Sequence, residues 1–154
     1  MKHTFAKDAD TAPRFWRDDA LPFIEARSIA DGREVCYTRH SHEHFSIGAI
    51  TAGRSTYLHE QAQFQVSAGT VVLMNPDDVH ACNPIDDQPW SYLMLYVETP
   101  WLTDLQRQLG FSQDSAFRRF SVTHTRDGNL FDGLNSLYEI LVDPWQDVLC
   151  KHSA

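Results

Sequence analysis

Between residues 33 and 98 apolar and polar positions alternate in short runs, the period-two pattern of half-buried strands. Segments 34–40, 45–51, 54–59, 63–66, 70–74 and 91–98 are predicted strands. Their punctuation is brief: Ala52-Gly53, Glu60-Gln61, Ala68-Gly69 and Pro76-Asp77-Asp78. Upstream, 23–29 is a further extended segment after Pro22, followed by a hairpin signal at Asp31-Gly32. The connections are too short for parallel crossovers, so the pattern predicts a sandwich or barrel of short antiparallel strands. Residues 83–89, with two prolines and Asp86-Asp87, are the one longer loop within it.

After Glu98 the period changes. Thr99 is the expected cap of a first helix with Pro100 at its first position, Leu102, Leu105 and Leu109 as its stripe, and Gly110 at C′. A second helix is expected over about 129–142, with Leu130, Leu134, Leu137, Tyr138 and Leu141 on one side and Pro144 as its stop. Trp101, Phe111, Phe117 and Phe120 add more apolar surface than two short helices normally hide. The 130–141 stripe therefore predicts a homodimer seam, against the alternative that both helices cover a sheet face. The chain divides into a flexible opening (1–13), a β domain (14–98), a helical dimerisation segment (99–143) and the start of a linker (144–154).

Composition narrows the classes. A chain of 154 residues is most simply one domain with a real core. No apolar run is long enough for a membrane span, and the first 15 residues lack a secretory apolar core. Cys36, Cys82 and Cys150 show no metal spacing and read as reduced thiols of a cytoplasmic protein. The formal net charge is −8, and Arg118-Arg119 is the nearest thing to a basic cluster. Duplex DNA needs concentrated positive charge, so this chain alone is not expected to bind it.

The chemistry gathers around three imidazoles. His40 and His42, at i and i+2 on an extended segment, share a face, and His80 can join them if the intervening strands fold back. Such a set suits Zn, Fe, Mn or Ni. No carboxylate follows at Ser46 or Ile47, and Glu43 alternates to the other face. The alternative is that these imidazoles hydrogen-bond within the cavity or to an organic ligand. His44 shares their parity; His59 and His124 lie near turns and read as surface residues. Cys82 is a soft ligand or a small buried hydrophobe. Nucleophile elbows and phosphate-binding glycine loops are absent. Trp90, Tyr92, Met94 and Tyr96 share one strand face, Ser91, Leu93 and Leu95 the other; the aromatic face either stacks on a ligand or packs as core. Phe15-Trp16 either caps the core or arms a pocket mouth.

The order His40-x-His42, Ile47-Gly48, Gly53, then Gly69-x5-Asn75-Pro76-Asp77-Asp78-Val79-His80 and Trp90-x-Tyr92-x3-Tyr96-Val97 resembles the cupin-type effector domain of AraC-family transcription regulators. The resemblance covers roughly residues 14–142. It implies a mainly β fold, a cupin-type jelly-roll barrel followed by two C-terminal amphipathic helices. It also implies a small effector in the barrel (a sugar, an amino acid or similar), a homodimer, and DNA contact only through a C-terminal helix-turn-helix domain absent from this chain. Carried over on Gly53, Gly69, His80 and Trp90, the family's pocket positions are Thr38, His42, Cys82, Tyr92 and Met94, with Phe15 on an arm closing over the ligand. The sequence departs from the cupin motifs in lacking their Glu and in placing Asp78 where Gly is usual. A sensor without catalytic residues or a required cofactor is the expected function. A small metal-dependent cupin enzyme, a dioxygenase or isomerase holding Zn, Ni or Fe on His40, His42 and His80, is the rival.

Overall fold

The structure is a computed structural model that describes residues 13–34 and 43–154. The polar opening, Cys36, Thr38, His40, His42 and the predicted strand beyond Glu34 lie outside the described residues. Strands β1 (Arg14–Trp16), β2 (Ile24–Ile29), β3 (Phe45–Ala52), β6 (Val71–Met74), β8 (Ser91–Val97) and β9 (His124–Thr125) form a six-stranded sheet in the order β1-β2-β8-β3-β6-β9. Strands β4 (Arg54–His59), β5 (Ala62–Ser67) and β7 (His80–Pro84) form a three-stranded sheet, β5-β4-β7. Every pairing is antiparallel, as the short loops require.

The large sheet is apolar on both faces because it is covered on both. One face, carrying Ile29, Ile50, Val72, Met74, Tyr92 and Met94, meets Tyr57, Phe64 and Val66 of the small sheet. The other, carrying Ala26, Ala49, Val71, Leu93, Leu95 and Val97, meets helix α2 (Gly128–Val142). The two sheets are also joined by a side chain: the fully buried Tyr57 donates its hydroxyl to the Leu73 carbonyl at 3.2 Å. Burial, with Cys82 and Asp78 nearby, pushes that phenol's pKa up and keeps it protonated.

Helix α1 (Thr99–Gln108) begins one residue earlier than expected: Glu98 is the N-cap, without a side-chain bond, and the Thr99 hydroxyl instead donates to the Glu43 carbonyl at 2.7 Å. Gly110 does sit just past the end with φ +79°. Of the expected stripe Leu102 packs on the core, Leu109 is exposed, and the buried α1 residues are Thr103 and Gln106. Gln106 clamps the following loop, donating to the Arg118 carbonyl at 2.8 Å and accepting from its N–H at 2.9 Å. Asn75 does the same to Phe120 at 2.8 and 2.7 Å.

Helix α2 is capped by Asp127, whose carboxylate accepts from the Leu130 N–H at 2.9 Å. Most of its apolar stripe is used within the chain. Leu134 (6% exposed) and Leu141 (1%) lie in the chain's own core, and Leu137 and Tyr138 pack against it, the Tyr138 hydroxyl reaching Ser28 Oγ at 2.8 Å. Only Leu130 of the five stands at the surface. A third helix, α3 (Val148–Ser153), occupies the expected linker start, capped by Asp147. Trp101 is likewise used within the chain, stacked on Phe23 at 4.2 Å. No helix among the described residues is long and apolar enough to cross a membrane.

Candidate functional site

Between the two sheets lies a cavity of about 180 Å³. Its walls are largely apolar, built by Trp90, Tyr92 and Met94 of β8 with Ile50, Val72 and Met74. Of the alternatives for the β8 aromatic face, core packing is observed: Trp90 and Tyr92 are core residues, stacked at 4.6 Å, and they also line the cavity. His80 and Cys82 enter from β7, where they pair with His59 and Tyr57 of β4. Five of the expected ligand positions, His80, Cys82, Trp90, Tyr92 and Met94, therefore converge on one cavity. Thr38, His40 and His42 lie outside the described residues.

Register explains the convergence. Phe15 opposes Arg27, Arg27 opposes Met94, Met94 opposes Gly48, Gly48 opposes Val72, and Val72 opposes His124. Opposed residues share a face, so this row crosses all six strands of the sheet on its cavity side. Gly48 leaves room in it: a Cβ there would stand 2.6 Å from Met94 Sδ and 2.8 Å from the Leu93 carbonyl. Phe15, 56% exposed, does not line the cavity. It sits on the edge strand with the Arg27 guanidinium 4.5 Å from its ring centre.

Arg27 is the charged lining residue that the sequence reading missed, as it missed the apolar Ile50, Val72 and Met74. Its guanidinium also lies 5.5 Å from the Tyr96 ring, and both Arg27 and Tyr96 line the cavity. The available signal was parity, since Arg27 is two residues from the inward-facing Ile29. A charged side chain at an inward position is a functional hint that spacing alone can raise.

His80 is buried, and its Nδ1 lies 2.9 Å from the Asp78 carbonyl oxygen. A carbonyl only accepts, so Nδ1 carries a proton. The Asp78 carboxylate, 2% exposed, is met by His59 Nε2 at 2.9 Å and by Arg119. Burial works to raise its pKa; the hydrogen bonds from His59 and Arg119 outweigh this and hold it below the usual carboxylate range. Asp78 is thus the anchor of the turn that delivers His80. The surface reading of His59 and His124 is corrected: His59 is part of this anchor, and the His124 ring lies tilted against Phe64, centroids 4.3 Å apart. Burial pushes the Cys82 thiol to about 12, so at neutral pH it is a protonated wall atom. Cys150 is exposed.

Two sheets closing on a side-chain-lined cavity define a cupin-type binding domain, and solved structures agree. A cupin 2 conserved barrel protein from Salinispora arenicola is similar at 15% identity and a TM-score of 0.51, over 62% of this chain and 82% of its own. A cupin-family protein with a double-stranded β-helix fold from Methanocaldococcus jannaschii matches at 15% identity and 0.51, over 65% and 92%. A cupin protein from Bacteroides fragilis matches at 20% and 0.50, over 80% and 96%. At these identities the likeness speaks for the fold. Residues 23–148 match the AraC-like ligand binding domain, and the chain belongs to that family. No curated protein matches it.

Proposed function

We propose that this chain is the effector-sensing and dimerisation part of an AraC-type transcription regulator, a cytoplasmic binding module rather than an enzyme. The observation that carries the reading is the cavity, lined by aromatic, thioether and imidazole side chains, within a domain of the AraC-like ligand-binding family. Residues 14–98 would hold the effector, 99–143 would supply the dimerising helices, and the segment from 144 would lead to a helix-turn-helix domain that contacts DNA. Ligand acts by population shift, favouring one arrangement of the partner copies over another. The acidic chain has no basic cluster of its own for DNA.

The test is a thermal-shift screen of sugars, amino acids, small carboxylates and neutral aromatics against the wild type and Tyr92→Ala. At least one compound is expected to raise the melting temperature of the wild type and not of the variant. A screen in which no compound shifts the wild type, or in which every hit survives Tyr92→Ala, would overturn the reading.

The rival metal-dependent cupin has one observation in its favour. His80 is oriented through Nδ1 by the Asp78 carbonyl, the usual outer-shell arrangement of a metal-ligating imidazole, so Nε2 is the nitrogen a metal would use. His40 and His42 would have to complete the set. Bound Zn, Ni or Fe would supply Lewis-acid or redox chemistry. Elemental analysis of untagged protein is expected to give close to one metal per chain if that reading holds. Less than about a tenth of a metal per chain would end it, because three convergent imidazoles scavenge zinc.

A further inference from the structure

Resting on the sensor reading above, we propose that the cavity is selective for a small uncharged aromatic molecule of one ring, rather than for a sugar or an acid. Three of the lining residues, Met74, Met94 and Cys82, carry sulfur, and Trp90 and Tyr92 set a stacked aromatic pair beside them. A thioether makes a favourable contact with the edge of an aromatic ring that a saturated ring cannot offer. The Met94 sulfur stands in the room that Gly48 leaves, 2.6 Å from the place a Cβ would take, so it lies on the cavity side of the sheet. The Cys82 thiol, pushed to about 12 by burial, joins this wall as a neutral atom.

The polar residues of the wall are already engaged. Arg27, His80, Cys82, Tyr92 and Tyr96 each make an interaction within the chain. The Arg27 guanidinium lies 4.5 Å from the Phe15 ring centre and 5.5 Å from that of Tyr96, and Arg27 also borders a second pocket with Glu25 and Glu98. An entering carboxylate would give up its water for a cation whose surroundings already hold two carboxylates. A cationic ligand fares no better, because no Asp or Glu stands among the described lining residues to receive it. A sugar would bring several hydroxyls against the Met, Ile and Val side chains, where each would go unmatched. An unsubstituted ring brings none of these costs. A dry apolar cavity of about 150 Å³ holds benzene. This one, at about 180 Å³, has room for a ring with one small substituent.

Titration calorimetry of this chain with toluene, sodium benzoate, cyclohexane and D-glucose tests the proposal. Toluene is expected to bind with a Kd below about 1 mM. Benzoate, the same skeleton with a charge in place of the methyl group, should bind at least about tenfold more weakly, and glucose not at all. The double variant Met74→Leu/Met94→Leu nearly keeps the volume of the wall and removes both thioethers. It should weaken toluene at least about threefold and leave cyclohexane unchanged. The wild-type comparison stands even if the variant fails to fold. Benzoate, glucose or cyclohexane binding the wild type as tightly as toluene, toluene affinity unchanged in the double variant, or no toluene binding up to about 5 mM would each overturn it. If toluene fails while a compound from the thermal-shift screen binds in a Tyr92-dependent way, only the ligand class falls. If nothing binds, the sensor reading falls with it.

Discussion

Leu141→Arg is expected to unfold the domain, not to divide a dimer. Leu141 is 1% exposed and packs in the cluster of Ala26, Leu93, Leu95 and Leu134 beneath helix α2. Truncation to alanine at such a site costs about 2–5 kcal/mol. Arginine forfeits the same packing and also leaves a charge without a partner in an apolar layer, which adds several kcal/mol more. Set against a total stability of about 5–15 kcal/mol for a typical domain, the variant should be largely unfolded at 25 °C. Circular dichroism with urea titration reads this directly. Leu130→Arg, on the same helix but at the surface, should change stability by less than about 0.5 kcal/mol. If α2 nonetheless forms a dimer, Leu130→Arg is the variant that weakens it in sedimentation while the melting temperature stays put. A folded Leu141→Arg with an unshifted urea midpoint would contradict the packing described.

The second large effect is expected at Gly53, in the turn between β3 and β4. Its φ of +73° is left-handed, which costs an L-residue about 1–2 kcal/mol. A Cβ there would also collide with the Pro89 carbonyl oxygen and stand 2.9 Å from Trp90 Cα, backbone atoms that cannot swing aside. Gly53→Ala should therefore lose on the order of 3 kcal/mol, the steric part adding to the conformational one. Gly110 supplies the control. Its φ is +79°, but nothing lies within 4 Å of the place a Cβ would take. Gly110→Ala should show the conformational cost alone, about 1–2 kcal/mol. Equal losses in chemical denaturation would mean that the contact with 89–90 carries no weight. Because Trp90 is a cavity wall, Gly53→Ala should also weaken any ligand held there.

The strands that sequence reading found share a clear period and clear ends. Those over 45–51, 54–59, 63–66, 70–74 and 91–98 return within a residue or two as β3, β4, β5, β6 and β8. Strand β7 was missed because Asn83 and Pro84 look like loop residues. Among the described strands it is an outer one of the small sheet. Strands β1 and β9, of three and two residues, are too short to show any period. The stripe of α2 was legible as a helix face, but periodicity does not say whether that face meets its own sheet or a second copy. Here the buried Leu134 and Leu141 meet the sheet. At the site, His80, Cys82 and β8 were legible from parity and from the family pattern. Arg27 was not, because the apolar residues around it made β2 read as an ordinary extended segment. His59 escaped because its partner, Asp78, is nineteen positions away in sequence.

Strand β8 lies between two layers of different purpose. Positions 92 and 94 face the cavity, while 93, 95 and 97 hold the sheet to the helices. Neighbouring codons therefore answer to different selection. Substitution at 92 or 94 can retune what the cavity accepts while the intervening leucines and valine keep the scaffold, so one such barrel can be re-addressed to a new small molecule in single steps. The same division marks where a library aimed at new specificity should vary and where it should leave the chain alone.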